Sequence, residues 1–380
     1  MAFNKPIRTL KVEEEEETLL PMSPTGQCLS ERLSSNQPLW EVHVVKYPSM
    51  NGAGSLVFKF SHALGDGYSI VSVIFSAIER ADDPSLPLTL PNMSLSITGG
   101  KKSLWNYFMM CFNTVSDLSF SVLKGSVLVD SKSAVRSGMV GVEFEPIAIS
   151  SISISMERLN LVKSEIGGTV NDVVTGLIYY IIHLYMLRKG DTSGGKNMNL
   201  LVMFNMRMLG GYKNIAEMMK ANIWGNRVAF LHAPIPNITG EEKIDPLYFI
   251  NKGKEVMDRK KNSLFTFLTN PIINVLRCLK GPKGVADYVH SNFKNTTTTV
   301  TSLIGPKEKL ALAGHPISSS YFIVAGIPQS LVFTVASCMG QLRLVATTQK
   351  NFIDSQPFAA CMREAFENIF DAACDHGRNP

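Results

Sequence analysis

The sequence holds no Cys-x-x-Cys pair, no zinc-ligand spacing of cysteine with histidine, and no internal repeat. Cys28, Cys111, Cys278, Cys338, Cys361 and Cys374 lie far apart, so reduced thiols and no structural zinc are expected. A strong charge of either sign is also missing. Lys and Arg number 37 against 32 Asp and Glu, a net charge of +5, and Arg259-Lys260-Lys261 and the pair Lys280 and Lys283 are the more notable groupings. That scatter gives little support to nucleic-acid binding; such cations solvate a surface or attract anionic lipid or phosphate groups. Residues 1–10 lack a sustained apolar core and five glutamates follow at 13–17, so no cleaved signal is expected and the acidic run reads as a solvated, disordered segment.

What is present is apolar content: 45% of 380 residues, enough for a large core, and a length that suggests two or three domains. Residues 310–342 contain no Asp, Glu, Lys or Arg and are long enough to span a bilayer. Gly314, Pro316, Gly326, Pro328 and Gly340 break the stretch. Tyr321-Phe322-Ile323-Val324 and Leu331-Val332-Phe333-Thr334-Val335 are rich in strand formers, so buried strands are expected. Residues 104–123, aromatic and Met-rich but interrupted by Asn106, Asn113 and Asp117, read as an amphipathic or surface-lying helix that meets a membrane or packs in the core.

Apolar spacing predicts strands at 42–45 and 56–60, the second buried, and a helix over 68–80 with Ile70, Val73, Ile74, Ala77 and Ile78 inward. Residues 85–102 form a loop, 147–155 a strand and 157–166 a short helix. Thr169, three residues before Asp172, resembles a capping box that opens a long apolar helix through Tyr185.

The chemistry-bearing candidate is Ser61-His62-Ala63-Leu64-Gly65-Asp66-Gly67, at the end of the 56–60 run. A neutral imidazole at a strand end can take a proton from a hydroxyl at pH 7. An aspartate one short turn later can fix the loop by binding backbone amides or an arginine. Such a site suits acyl transfer to an alcohol, although a lone histidine beside a strand is also commonly structural. His43, His183, His232, His290, His315 and His376 lack this turn and read as structural or surface groups.

Around the motif stand Pro38-Leu39-Trp40-Glu41-Val42-His43, Thr169-Val170-Asn171-Asp172-Val173-Val174, Asn205-Met206-Arg207, Trp224-Gly225-Asn226 and Ser302-Leu303-Ile304-Gly305-Pro306. In this order they resemble the plant wax ester synthase/diacylglycerol acyltransferase family, within the superfamily of chloramphenicol acetyltransferase and other CoA-dependent acyltransferases. Two departures stand out. Ser61 replaces the first of two adjacent histidines, and the motif comes early in the chain, which suggests an internal deletion near residues 27–31.

The resemblance implies an α/β, two-lobed chloramphenicol acetyltransferase-like fold with an interlobe tunnel and an incomplete N-terminal lobe. The expected division is 1–36 as a disordered or shortened segment, 37–150 as the motif-bearing lobe and 151–380 as the C-terminal lobe. It implies His62 as general base, with Asp66, Gly67, Ser61, Asn171, Asp172 and Arg207 in support. Arg207 would pair with Asp66. Asn171 would contact the site while Asp172 holds its helix start, the capping box being the alternative role for both. Trp40 is expected in the core, Trp224-Gly225-Asn226 in a turn and residues 302–306 on a strand leaving towards the cleft.

The implied reaction joins a long-chain acyl group from acyl-CoA to a fatty alcohol or diacylglycerol, with acyl-CoA as co-substrate and no cofactor beyond it. A membrane surface is the expected setting, at the cytosolic face of the endoplasmic reticulum or the plasma membrane. A catalytically silent chain that binds only lipid or a partner is the competing reading, and acetylation of a small alcohol a third.

Overall fold

The computed structural model describes residues 7–10, 33–34, 36–46, 52–89, 103–191, 197–205, 224–236 and 244–376. The proposed junction at 27–31 and Arg207 lie outside them. The early part is built on β1 (Ile7–Leu10), β2 (Trp40–Val45) and β3 (Ser55–Phe60), with β2 parallel to β1 and antiparallel to β3. Trp40 pairs with Phe60 and Val44 with Leu56, so β3 delivers the chain to Ser61 at the end of the sheet. The strand is not buried as expected: Leu56 and Phe58 are exposed, because alternate side chains of β3 face opposite sides and this small sheet leaves that side open.

Helix α1 (Gly67–Ser76) follows, then β4 (Ile78–Arg80). The predicted helix ran four residues further, and its inward face is also corrected. Ser69 and Ser72 are buried while Val73 and Ala77 are exposed. The polar face turns inward because Ser69 donates to the carbonyl of Gly225 at 3.1 Å, and Ile78, Glu79 and Arg80 are drawn into a strand by distant partners.

Helix α2 (Leu104–Lys124) is helical as read, and leads by way of a 3₁₀ turn (Val142–Phe144) to β5 (Ile147–Ser155). Helix α3 (Met156–Glu165) and α4 (Val170–Arg188) come next. The Thr169–Asp172 capping box forms: the threonine NH donates to the Asp172 carboxylate at 2.7 Å, and the Asp172 NH to the Thr169 hydroxyl at 3.3 Å. Helix α4 is the one helix among the described residues with the length and hydropathy to cross a membrane, yet 72% of that stretch is buried inside the protein. It serves as the core helix.

The rest comprises β6 (Asn199–Asn205), β7 (Val228–Pro234), α5 (Pro246–Lys261), α6 (Phe265–Lys294), β8 (Thr298–Ile304), β9 (Leu310–Leu312), β10 (His315–Pro316), β11 (Leu331–Cys338), β12 (Gln341–Gln349) and α7 (Ser355–His376). A six-stranded mixed sheet runs β5-β12-β11-β8-β6-β7, with β8 parallel to both β11 and β6. The 150/151 division falls inside β5, all nine residues of which pair with β12 in this sheet.

Helices α3, α4, α5 and α7 pack together and, with the sheet, enclose a core of Leu159, Leu177, Ile181, Phe249, Phe333 and Phe358. Helices α4 and α5 cross at Gly176 and Gly253; a Cβ on Gly176 would lie 2.5 Å from the Ile250 backbone, so only glycine allows this approach. A second small sheet, β10-β9-β4, ties the segment after α1 to the C-terminal half. Residues 310–342 are thus partly strand, as expected from their breakers, but Tyr321 to Val324 form none. The region before β11 is a connection whose backbone leaves the ladder at Pro316.

Candidate active site

The peptide after β3 turns sharply. Ser61 NH donates to the Leu39 carbonyl at 2.9 Å, Leu64 NH returns to the Ser61 carbonyl at 3.0 Å, and the Ser61 hydroxyl accepts from Ala63 NH at 3.3 Å. His62 is exposed at the head of this turn, while Ser61 is half-buried with its oxygen occupied in the turn itself. Gly65 is required by space and conformation: its φ is +157°, and a Cβ there would meet Ser69 at 2.9 Å. Gly67 lies against the Leu303 side chain, which would contact an added Cβ at 3.4 Å. In this way the expected 302–306 strand, β8, reaches the motif.

Asp66 is buried and architectural. One carboxylate oxygen accepts from Ser69 NH at 3.0 Å and caps α1; the other accepts from Arg227 NH at 2.9 Å. Of the two roles open to this aspartate, backbone amides fill one among the described residues.

Trp224-Gly225-Asn226, read from sequence as a turn, does more. The Asn226 amide donates to the His62 carbonyl at 2.9 Å, the Trp224 indole NH donates to the Leu64 carbonyl at 2.5 Å, and Asp66 NH approaches the Gly225 carbonyl at 3.5 Å. Together with Arg227 NH these groups hold both arms of the His62 turn from a segment that enters β7. Nothing in the local sequence marks Asn226 or Trp224 as clamps; the only signal was their place among the ordered motifs. Trp40 is exposed instead of in the core, because it opens the central strand β2 two residues before the pairing with β1 begins at Val42, leaving β3 as its neighbour in the sheet.

Residues 22–174 match the wax ester synthase/diacylglycerol acyltransferase catalytic domain, and residues 224–370 match the WS/DGAT C-terminal domain. The chain belongs to the wax ester synthase/diacylglycerol acyltransferase family. It is similar to wax ester synthase/diacylglycerol acyltransferase 3 of Arabidopsis thaliana, with 28% identity over 373 residues that cover 93% of this chain and 76% of the relative. Wax ester synthase/diacylglycerol acyltransferase 4 of the same plant is 24% identical over 359 residues, covering 87% and 68%. The structure of the wax ester synthase/diacylglycerol acyltransferase from Marinobacter aquaeolei VT8 superposes with a TM-score of 0.56 at 15% identity, covering 92% of this chain and 75% of that one, and so shares the mixed α/β fold.

Within this family member, Asn171 and Asp172 stand apart from the motif loop. Asn171 is exposed at the start of α4; Asp172 is buried, closes the capping box and lies 3.6 Å from the Lys261 ammonium. Among the described residues no hydrogen bond or ion pair joins either to the His62 turn.

The other histidines divide by surroundings. His43 is buried and meets Glu41 at 3.1 Å, and His290 meets Glu143 at 3.5 Å. His183 stacks with Tyr180 and Phe249, where burial lowers its pKa. His232, between Phe120 and Phe230, has its pKa pushed down to about 3 by burial and then by Lys124 and Lys260, so its imidazole is neutral. Lys260 is a correction to the solvated-surface reading of 259–261: it is buried, 2.6 Å from Asp117.

Proposed function

We propose that this family member transfers a long-chain acyl group from acyl-CoA to the hydroxyl of a fatty alcohol or diacylglycerol, with His62 as general base. Membership in the family supports the reaction class. The observation that carries the assignment of His62 is its exposure on a turn whose backbone is held at His62, Leu64 and Asp66 by Asn226, Trp224 and Arg227.

In the proposed step, a neutral imidazole nitrogen accepts the acceptor's hydroxyl proton as the oxygen attacks the thioester carbonyl. The tetrahedral oxyanion collapses, the C–S bond breaks, and the imidazolium returns the proton to the departing CoA thiolate. The ester and free CoA balance the reactants, and the CoA thioester is the only activated group needed. Entry of CoA and acceptor from opposite mouths of an interlobe tunnel is part of the proposal, as is a setting at the cytosolic face of the endoplasmic reticulum or the plasma membrane. Ser61, with its oxygen engaged by Ala63 NH, serves the turn.

Ester formation from labelled long-chain acyl-CoA, with fatty alcohol or diacylglycerol, tests this against the His62→Ala variant at matched soluble expression. Loss of general-base catalysis predicts a fall of about a hundredfold to ten-thousandfold at unchanged thermal stability. Equal activity in both proteins would overturn the role of His62. No activity in either would favour a silent lipid- or partner-binding chain.

A further inference from the structure

The six-stranded sheet is nearly bare of charge. Strands β5, β6, β7, β8, β11 and β12 hold a single Lys, Arg, Asp or Glu between them, Arg343 of β12. Strand alternation sets where it points. Leu342 and Leu344 are buried in the core against the helices, so Arg343 between them projects from the opposite face of the sheet, where it is half-buried.

Among the described residues no carboxylate or hydrogen-bond acceptor meets this guanidinium. It lies instead over the Tyr321 ring, 5.5 Å from the centroid. A ring contact fixes the position of a cation without neutralising it. The segment carrying Tyr321 is pinned over the same face, because the hydroxyl of Thr334 on β11 donates to the Phe322 carbonyl at 2.5 Å.

The register puts this cation on a path to the histidine motif. Ser153 of β5, Arg343 of β12, Ala336 of β11 and Leu303 of β8 pair in one row across four strands. Residues so paired share a face, and Leu303 at the inner end is the side chain that lies against Gly67. Arg343 and Leu303 are two strand spacings apart, about 10 Å. Between them the row holds only the methyl group of Ala336. At the outer end, on a strand that closes the sheet, Ser153 is exposed and donates its hydroxyl to Gln341 at 3.3 Å. The row is a lane from the sheet edge to the motif, with one uncompensated positive charge part-way along.

An arginine fork free of carboxylates matches a phosphate, to which it can donate two parallel N–H bonds. Of the reactants in the proposed reaction only acyl-CoA carries phosphates, at the end of a long arm whose thioester must reach His62; the fatty alcohol and diacylglycerol have no anion to present. We infer that Arg343, positioned by Tyr321, binds a phosphate group of the CoA moiety and so aligns acyl-CoA along this row. The inference rests on acyl-CoA as the donor, but it is read by binding, apart from turnover.

The test is calorimetric titration of the full chain with CoA. Arg343→Gln is expected to weaken CoA about tenfold to a hundredfold at an unchanged melting temperature, the worth of a charge-assisted hydrogen-bonded pair. Arg343→Lys keeps the charge without the fork and should fall between, and Tyr321→Leu should weaken CoA several-fold. On the wild type itself, CoA should slow phenylglyoxal modification of Arg343 several-fold, read by peptide mass spectrometry, and pantetheine, which lacks the phosphates, should not. That readout needs no variant to fold. Equal CoA affinity in wild type and Arg343→Gln, or an Arg343 that CoA protects no better than pantetheine does, overturns the inference and leaves acyl transfer by His62 standing. CoA binding that depends on Arg343 in a chain without turnover would uphold the inference and overturn acyl transfer. A wild-type chain that binds no CoA would overturn both.

Discussion

The side-chain amide of Asn226 donates to the backbone carbonyl of His62 at 2.9 Å across 164 positions of sequence. This bond holds the peptide plane from which the candidate base projects, without touching its imidazole. Removing it in Asn226→Ala should lower kcat several-fold to about tenfold, the worth of one hydrogen bond, with KM for acyl-CoA nearly unchanged. Asn226→Asp keeps the shape but not the donor and should match it. A rise in KM at constant kcat would show instead that Asn226 binds substrate.

Asp66 caps α1 with one oxygen and takes Arg227 NH with the other. Asp66→Ala leaves both amides without this acceptor and should cost about 1–3 kcal/mol by urea unfolding, together with most of the activity. Asp66→Asn retains one acceptor oxygen and should fall between alanine and wild type. Equal stability in all three would deny the aspartate its architectural role.

His232 gives the fold a defined acid sensitivity. Its folded pKa is about 3 against an ordinary 6.5, so between those values the unfolded chain binds one proton more. Its share of stability is complete above pH 6.5 and falls on acidification through that window, by somewhat over 1 kcal/mol per pH unit. In His232→Gln, urea midpoints at pH 7 and pH 5 should differ by less than in the wild type. An unchanged difference would place the acid-sensitive group elsewhere.

Asp130 is a buried carboxylate with many partners. Its oxygens accept from Asn199 NH at 2.8 Å and the Asn199 amide at 2.7 Å, from Thr297 NH at 2.7 Å and the Thr297 hydroxyl at 2.8 Å, and it pairs with Lys124. It ties the end of α2 to β6 and to the residues before β8. Asp130→Ala should destabilise by about 3–5 kcal/mol, because a buried ammonium loses its counter-charge. Lys124→Met combined with Asp130→Leu should cost less than the single aspartate change, measured by chemical unfolding.

Local patterns made part of this legible. Alternation exposed β5, a Thr-x-x-Asp signature opened α4, and glycine and proline broke up residues 310–342. The misreadings share a cause, since Val73 and Phe58 were expected to seek burial as apolar residues do. Instead Ser69 found a partner on Gly225, far along the chain, and that bond decided which face of α1 turned inward; Asp117 likewise drew in Lys260, expected at the surface. The histidine turn was legible as a motif, and Asp66 as its brace. Asn226 and Trp224 were not, because their roles arise only when β7 is laid beside the motif.

That arrangement makes the two matched regions, 22–174 and 224–370, unequal to separate use. A fragment ending at 174 would carry His62 with its turn open on the side where Asn226, Trp224 and Arg227 stand. A fragment beginning at 224 would carry the clasp with nothing to hold. Heredity has split one small structural unit between distant parts of a reading frame, so a change near residue 226 can silence a histidine encoded 164 codons earlier.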